Sequence, residues 1–246
     1  MTSLALAAAH ARVQLLDLKR SPAFVIFTVA FPAMFFAIFA MPFVRAAAEA
    51  DEAMLAMMAF AVTGVCLYQF GAGIAAERGR PWERYLRTLP VESMARFAAR
   101  IACAALAGLA AAGLVALVAR LFTPVDLSGL QWIAAFAFAL LGAVPFVAIG
   151  LAIGYWVSAR AAVPIATASN LLLAYMGGLW IPPQYLPRDV QAISPYLPTR
   201  AFADLLWSVT SGRGAAAAVV LLAAYAALFL AVASIAYRRD ERKRYA

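Results

Sequence analysis

The sequence predicts an all-α integral membrane protein with six transmembrane helices, and three observations carry that prediction. Apolar residues make up 66% of the 246-residue chain and charged residues 13%, far from the roughly half-apolar, quarter-charged mix of soluble domains. Six runs, 23–43, 53–76, 101–119, 132–157, 163–181 and 215–237, contain no Asp, Glu, Lys or Arg, and each reaches the ~18 residues that a spanning helix needs, about twice the length of a barrel strand. The basic residues are also unevenly shared between alternate loops. Arg12, Lys19, Arg20, Arg78, Arg80, Arg84, Arg87, Arg96, Arg100, Arg160, Arg238, Arg239, Arg242, Lys243 and Arg244 fall on one side; Arg45, Arg120, Arg188, Arg200 and Arg213 fall on the other. By the positive-inside rule both termini are cytoplasmic and the chain is a multi-pass protein of the cytoplasmic (inner) membrane.

Taken in order, residues 1–22 are expected to form an interfacial helix. Leu4, Ala8, Ala11, Leu15 and Leu18 share one face, as in a helix lying on a membrane surface. Ser21-Pro22 supplies a cap and a first-turn proline where the chain turns into the bilayer. The first run begins too late and is too long for a cleaved signal peptide, so it is expected to stay as an anchor. It carries a stripe of Phe24, Phe27, Phe31, Phe35 and Phe39, with Pro32 expected to kink it. Glu49, Asp51 and Glu52 then read as a solvated turn.

Small residues recur at intervals of four in the third run (Ala104, Gly108, Ala112) and the fourth (Gly150, Gly154). Such spacing lets helix backbones approach closely; whether within one chain or between two, spacing does not say. Cys66 and Cys103 both lie in apolar runs and are expected to be packing residues, with no disulfide or zinc framework. The extracellular segment 182–214 holds five of the thirteen prolines yet stays apolar, with Tyr185, Tyr196, Phe202 and Trp207. It is expected to form short broken helices that dip into the outer leaflet; the alternative is a surface loop with interfacial aromatic anchors. The whole chain, 1–246, reads as a single transmembrane domain.

The cytoplasmic stretch 77–96 raises the sharpest question. Pro81 can open a helix and Pro90 can stop it. Trp82, Tyr85, Leu86 and Leu89 then share one face while Glu83, Arg84, Arg87 and Thr88 take the other. So short a helix needs a surface to lie on: the lipid headgroups, or a groove on a cytoplasmic protein.

Several function classes fall away. The net charge of +8 is accounted for by topology and anionic headgroups, without nucleic acid. The runs lack the mid-membrane ionisable groups of proton- or sodium-coupled carriers. The single histidine, His10, lies on the N-terminal tail, and no nucleophile, base and orienting group fall within reach of one another. No phosphate-binding G-x-x-x-x-G-K-[ST] loop is present. Energy for uphill movement would therefore come from a partner, and the short cytoplasmic helix is where a partner could push.

At this point the motifs resemble a known family. Glu77-Arg78-Gly79 followed by Trp82 to Pro90 resembles the first signature of type 2 ATP-binding-cassette (ABC) exporter permeases. Gly178-Leu179-Trp180-Ile181-Pro182, Leu186-Pro187, Ile193 to Pro198 and Asp204-Leu205-Leu206 are similar to the second. One departure is Arg80-Pro81, where many members carry Thr or Ser. The resemblance implies a permease subunit without its own ATPase site, catalytic residues, metal or cofactor, paired with a second permease copy in a homodimer or heterodimer. Each copy would sit on a cytoplasmic ABC ATPase that binds ATP and Mg. The family's coupling helix would map onto Trp82, Glu83, Arg84, Tyr85, Leu86, Arg87, Thr88 and Leu89, with Glu77 and Arg78 at its base. The first and fifth spans would meet across the dimer, and the first, second and fifth would enclose the path.

Candidate path residues are Phe27, Phe31, Phe35, Tyr68, Gln69, Thr167, Asn170 and Tyr175, because amide and hydroxyl groups within apolar runs must face protein or a cavity. Bonding between helices explains the polar ones equally well, and packing explains the phenylalanines. Apolar and aromatic candidates without charged pairs point to export of a hydrophobic or amphipathic small molecule, such as a drug, an antibiotic or a lipid-like compound. Export of a polysaccharide or lipid-linked glycan, or a non-transporting scaffold or sensor subunit, are the alternatives.

Overall fold

The computed structural model describes residues 26–78, 93–212 and 214–245, with all their side chains except those of Phe27, residues 93–96 and residues 241–245. The interfacial helix expected over 1–22 and the cytoplasmic helix expected between Pro81 and Pro90 lie outside the described residues. Every regular element among the described residues is helical. In order these are α1 (26–43), α2 (Ala47–Arg78), α3 (Ser93–Phe122), α4 (Gly129–Gly142), α5 (Val144–Trp156), α6 (Ala159–Met176), α7 (Arg188–Ile193), α8 (Pro198–Ser211) and α9 (Ala216–Tyr245).

Among the described residues, four stretches are long and apolar enough to cross a membrane: Ala47–Arg78, Phe97–Phe122, Gly129–Trp156 and Ala216–Asp240. They coincide with the second, third, fourth and sixth predicted runs. The other two runs have physical reasons to differ. In α1 the α-helical turn Phe31–Phe35, containing Pro32, is flanked by π-helical turns Ile26–Ala30 and Phe36–Ala40, because proline has no N–H to continue the ladder. Its apolar helix is the shorter stretch Thr28–Phe43. In α6, Arg160, Thr167, Ser169 and Asn170 dilute the hydropathy of an 18-residue helix. The fourth run is really two helices: Pro145 opens α5, and the chain bends at Ala143.

The expected solvated turn at Glu49, Asp51 and Glu52 is corrected by the structure, because α2 starts at Ala47 and takes all three into its first turns. The Glu49 carboxylate accepts from the N–H groups of Arg45 (2.7 Å) and Ala46 (3.3 Å), satisfying donors at the helix start. Asp51 is buried and accepts from the Asp126 N–H at 3.2 Å, which holds the α3–α4 loop over the end of α2.

The core is built around α2. Met54, Leu55, Met58, Phe60, Leu67 and Phe70 on it are essentially inaccessible, and α3, α5, α6 and α8 all pack against it. In lipid the hydrophobic effect does not draw helices together, so close contact of small residues must. The α5 pair Gly150 and Gly154 supplies it. A Cβ at Gly150 would stand 2.8 Å from the Cys66 carbonyl oxygen, and one at Gly154 would stand 2.3 Å from that of Phe70. On α3, Ala104 and Ala112 are buried and Gly108 faces Val62 of α2. Both small-residue stripes are therefore used within one chain. Cys66 and Cys103 are both buried.

The proline-rich stretch after α6 runs through short helices and ends in the strongly two-faced α8. Phe202, Leu205 and Leu206 of α8 are fully buried. Phe202 presses into the notch left by Gly142, where a Cβ would meet its ring at 2.1 Å. Thr199 donates from Oγ1 to the Leu173 carbonyl at 2.6 Å, beside Gly177, which has no side chain to block it. Trp207 donates to the Glu52 carbonyl at 2.9 Å, and Gln131 of α4 to that of Val209 at 3.2 Å. Gly178 (φ 77°) and Gly212 (φ 64°) take the left-handed conformation at the ends of α6 and α8, where glycine costs least.

Candidate functional site

Two regions carry the sequence-predicted residues. The first is the C-terminal end of α2. Successive helical residues point about 100° apart, so Glu77 and Arg78 leave α2 towards different neighbours. Glu77 pairs with Arg100 of α3, and the Arg100 guanidinium also donates to the Gln69 carbonyl at 3.1 Å. Arg78 donates to the carbonyls of Tyr155 (2.9 Å) and Val157 (2.7 Å) and to Oδ1 of Asp240 on α9 at 2.6 Å. Tyr155 and Val157 stand at the C-terminal end of α5, where carbonyls lack intrahelical partners and the helix dipole favours a cation. The guanidinium also lies over the Tyr155 ring, which meets Tyr237 of α9 edge-on at 5.2 Å. The two residues that enter the 79–92 stretch are thus tied to α3 on one side and to α5 and α9 on the other. Trp82, Glu83, Arg84, Tyr85, Leu86 and Arg87 lie outside the described residues.

The second region is a seam along α1, α2 and α6. On α2, Phe60, Gly64 and Tyr68 recur every four residues along one face. They meet Trp180 just beyond α6, then Asn170, then Thr167, in antiparallel order. Phe60 and Trp180 pack edge to face at 5.4 Å, a Cβ at Gly64 would stand 3.1 Å from Nδ2 of Asn170, and the Tyr68 and Thr167 hydroxyls are 2.8 Å apart. Phe31 and Phe35 of α1 close the aromatic end: Phe35 lies 5.0 Å from Trp180 and 6.0 Å from Phe60, and Phe31 lies 6.4 Å from Phe60.

The seam is aromatic at its Phe60–Trp180 end and polar where Asn170 and Thr167 meet Gly64 and Tyr68. At Tyr68 the helix widens into a π-helical stretch, Leu67–Ala72, a distortion frequent at functional sites. Asn170 is buried and its Oδ1 has no hydrogen-bond partner among the described residues; the same holds for Nε2 of Gln69 and Nε1 of Trp180. Buried polar atoms are ordinarily paired, so these three set the seam apart from plain packing.

Phe31, Phe35, Tyr68, Thr167 and Asn170 are therefore brought together. Gln69 sits beside them with its carbonyl engaged by Arg100. Tyr175 is half-buried further along α6, and no hydrogen bond joins it to the others among the described residues. The Phe27 side chain lies outside the described residues. Sequence reasoning did not reach Arg100, Asp240, Phe60, Gly64 or Trp180 as members of these sites. One signal was available: Asp240 and Glu241 are the two acids among the basic residues of 238–244.

The chain is 26% identical over 189 residues to "Putative transport permease YvfS" of Bacillus subtilis (strain 168), an alignment covering 76% of this chain and 77% of that protein. No solved structure matches it significantly. Residues 8–210 match the family described as ABC-2 type transporter, a span that includes both motifs quoted from the sequence. On that match the chain, a multi-pass membrane protein, belongs to the ABC-2 type transporter family.

Proposed function

We propose that this chain is the permease subunit of an ATP-driven exporter that moves a hydrophobic or amphipathic small molecule out of the cytoplasm or the inner leaflet. In this reading it spans the cytoplasmic membrane six times, with α1 and α6 completing the four longer spans and both termini inside. Two permease copies, most simply a homodimer, sit side by side. Each receives a cytoplasmic ABC ATPase on the helix expected over Trp82 to Leu89, and ATP and Mg²⁺ bind on the ATPase.

The observation that carries the reading is the tethering of Glu77 and Arg78. A push on the 79–92 stretch reaches α2, and α2 is clamped to α3 through Arg100 and to α5 and α9 through Tyr155, Val157 and Asp240. A stroke at the loop therefore moves the bundle instead of bending one helix. The α1–α2–α6 seam supplies a path of matching chemistry: rings at its outer end for an apolar body, and Tyr68, Thr167 and Asn170 for a polar handle. The external helices 183–211 would lie in the outer leaflet at its mouth.

The test is reconstitution of the permease with its ABC ATPase in proteoliposomes. With Leu86→Asp and Arg84→Glu introduced together, ATP hydrolysis is expected to lose its stimulation by the permease and export of lipophilic dyes is expected to cease. Unchanged stimulation and export would place the ATPase contact elsewhere.

A further inference from the structure

The cytoplasmic knot draws a residue of the last helix into the mechanism. Asp240 lies 162 positions from Arg78 in sequence, yet its Oδ1 is 2.6 Å from Nη1, and side-chain exposures of 14% for Arg78 and 16% for Asp240 leave the pair largely shielded from water. Two neutral carbonyls at the end of α5 already hold the guanidinium. Asp240 adds a charge-assisted bond of the stronger kind, and it adds α9. Its neighbour Arg239 stacks on Trp156 at the end of α5, 5.7 Å from the ring centre, so this end of α9 is held to both α5 and α2.

Resting on the reading that force enters through residues 79–92, we propose that Asp240 is a positioning residue for the transport stroke. By fixing the Arg78 guanidinium between α5 and α9, it makes the cytoplasmic ends of α2, α5 and α9 move as one body. It does not touch the transported molecule. Neutralising it leaves α9 free to lag behind α2 when the ATPases close.

The experiment uses the permease–ATPase complex with spin labels at Ala76→Cys on α2 and Arg238→Cys on α9, both exposed positions; the native Cys66 and Cys103 are buried. In complexes carrying one doubly labelled copy, the distance distribution is measured without nucleotide and after trapping with ATP, Mg²⁺ and vanadate. In the wild type and in Asp240→Glu it is expected to stay narrow and unmoved by trapping. In Asp240→Asn it is expected to match the wild type before nucleotide, then broaden and shift by several ångströms on trapping.

If Asp240→Asn behaves as the wild type in both states, the positioning role is overturned. A distribution broadened before nucleotide is added would mark Asp240 as a structural staple and overturn it as well. A separate measurement between labels at Ala76→Cys in the two copies distinguishes the underlying reading. Movement on trapping there upholds an ATP-driven permease pair whatever Asp240 does, and absence of movement removes that reading and this proposal with it.

Discussion

Gly154 of α5 faces Phe70 of α2 so closely that a Cβ there would stand 2.3 Å from the Phe70 carbonyl oxygen. The obstacle is backbone, which cannot rotate aside as a side chain can. Gly154→Ala should therefore separate α5 from α2 and lower the melting temperature of the purified protein, at a cost of about 1–3 kcal/mol or more. Gly113→Ala is the control. Nothing lies within 4 Å of a Cβ at that position, and replacing a helix-interior glycine by alanine should raise stability by roughly 0.5–1 kcal/mol.

Gly142 and Phe202 form a comparable fit between α4 and α8, but here the obstacle is a ring. Gly142→Ala should destabilise, and Phe202→Leu should cost about 1–3 kcal/mol alone by leaving space unfilled. Combined, the two should lose less than the sum of their separate effects, because the smaller side chain makes room for the new methyl. A double-mutant cycle on thermal unfolding measures that coupling; strict additivity would show that the ring and the notch are independent.

Asn170 separates stability from transport. Its Oδ1 is buried without a partner among the described residues, so Asn170→Leu, which keeps the branched shape of the side chain, should leave the melting temperature nearly unchanged or raised, since deleting an unsatisfied polar group costs little. Export should fall by about tenfold or more if the amide binds the transported molecule, equivalent to about 1.4 kcal/mol. A loss of both together would make Asn170 a packing residue.

Gly178 takes φ 77°, and a Cβ there would also meet Cγ of Pro183 at 2.9 Å. Gly178→Ala should cost about 1–2 kcal/mol from the left-handed backbone alone and displace the start of segment 182–214. Increased protease cleavage between Pro182 and Pro187 in right-side-out vesicles would report it. A cleavage pattern like that of the wild type would show that the turn tolerates a side chain.

The sequence alone determined the solvent. Six charge-free runs and the placement of basic residues point to helices in a bilayer, because an unpaired backbone polar group in lipid is costly and the runs are about twice the length of a barrel strand. It also located the two motifs on which the family rests, and a helical seam of small residues on α3 and α5. The match over residues 8–210 confirms the family, while the six-span count and the helix at 81–90 remain expectations of the sequence.

Only the tertiary structure decided which surfaces meet. Spacing puts Gly150 and Gly154 on one face of a helix, but α2 as their partner follows from the packing of a particular pair of helices. Asp51 reads as one acid among three until α2 extends to Ala47 and buries it against the Asp126 N–H. Arg78 pairs with Asp240 across 162 positions. A local pattern reports which residues share a face over a few turns; it carries no information on which distant segment that face will touch, and contacts of that kind tie α2 to α3, α5 and α9.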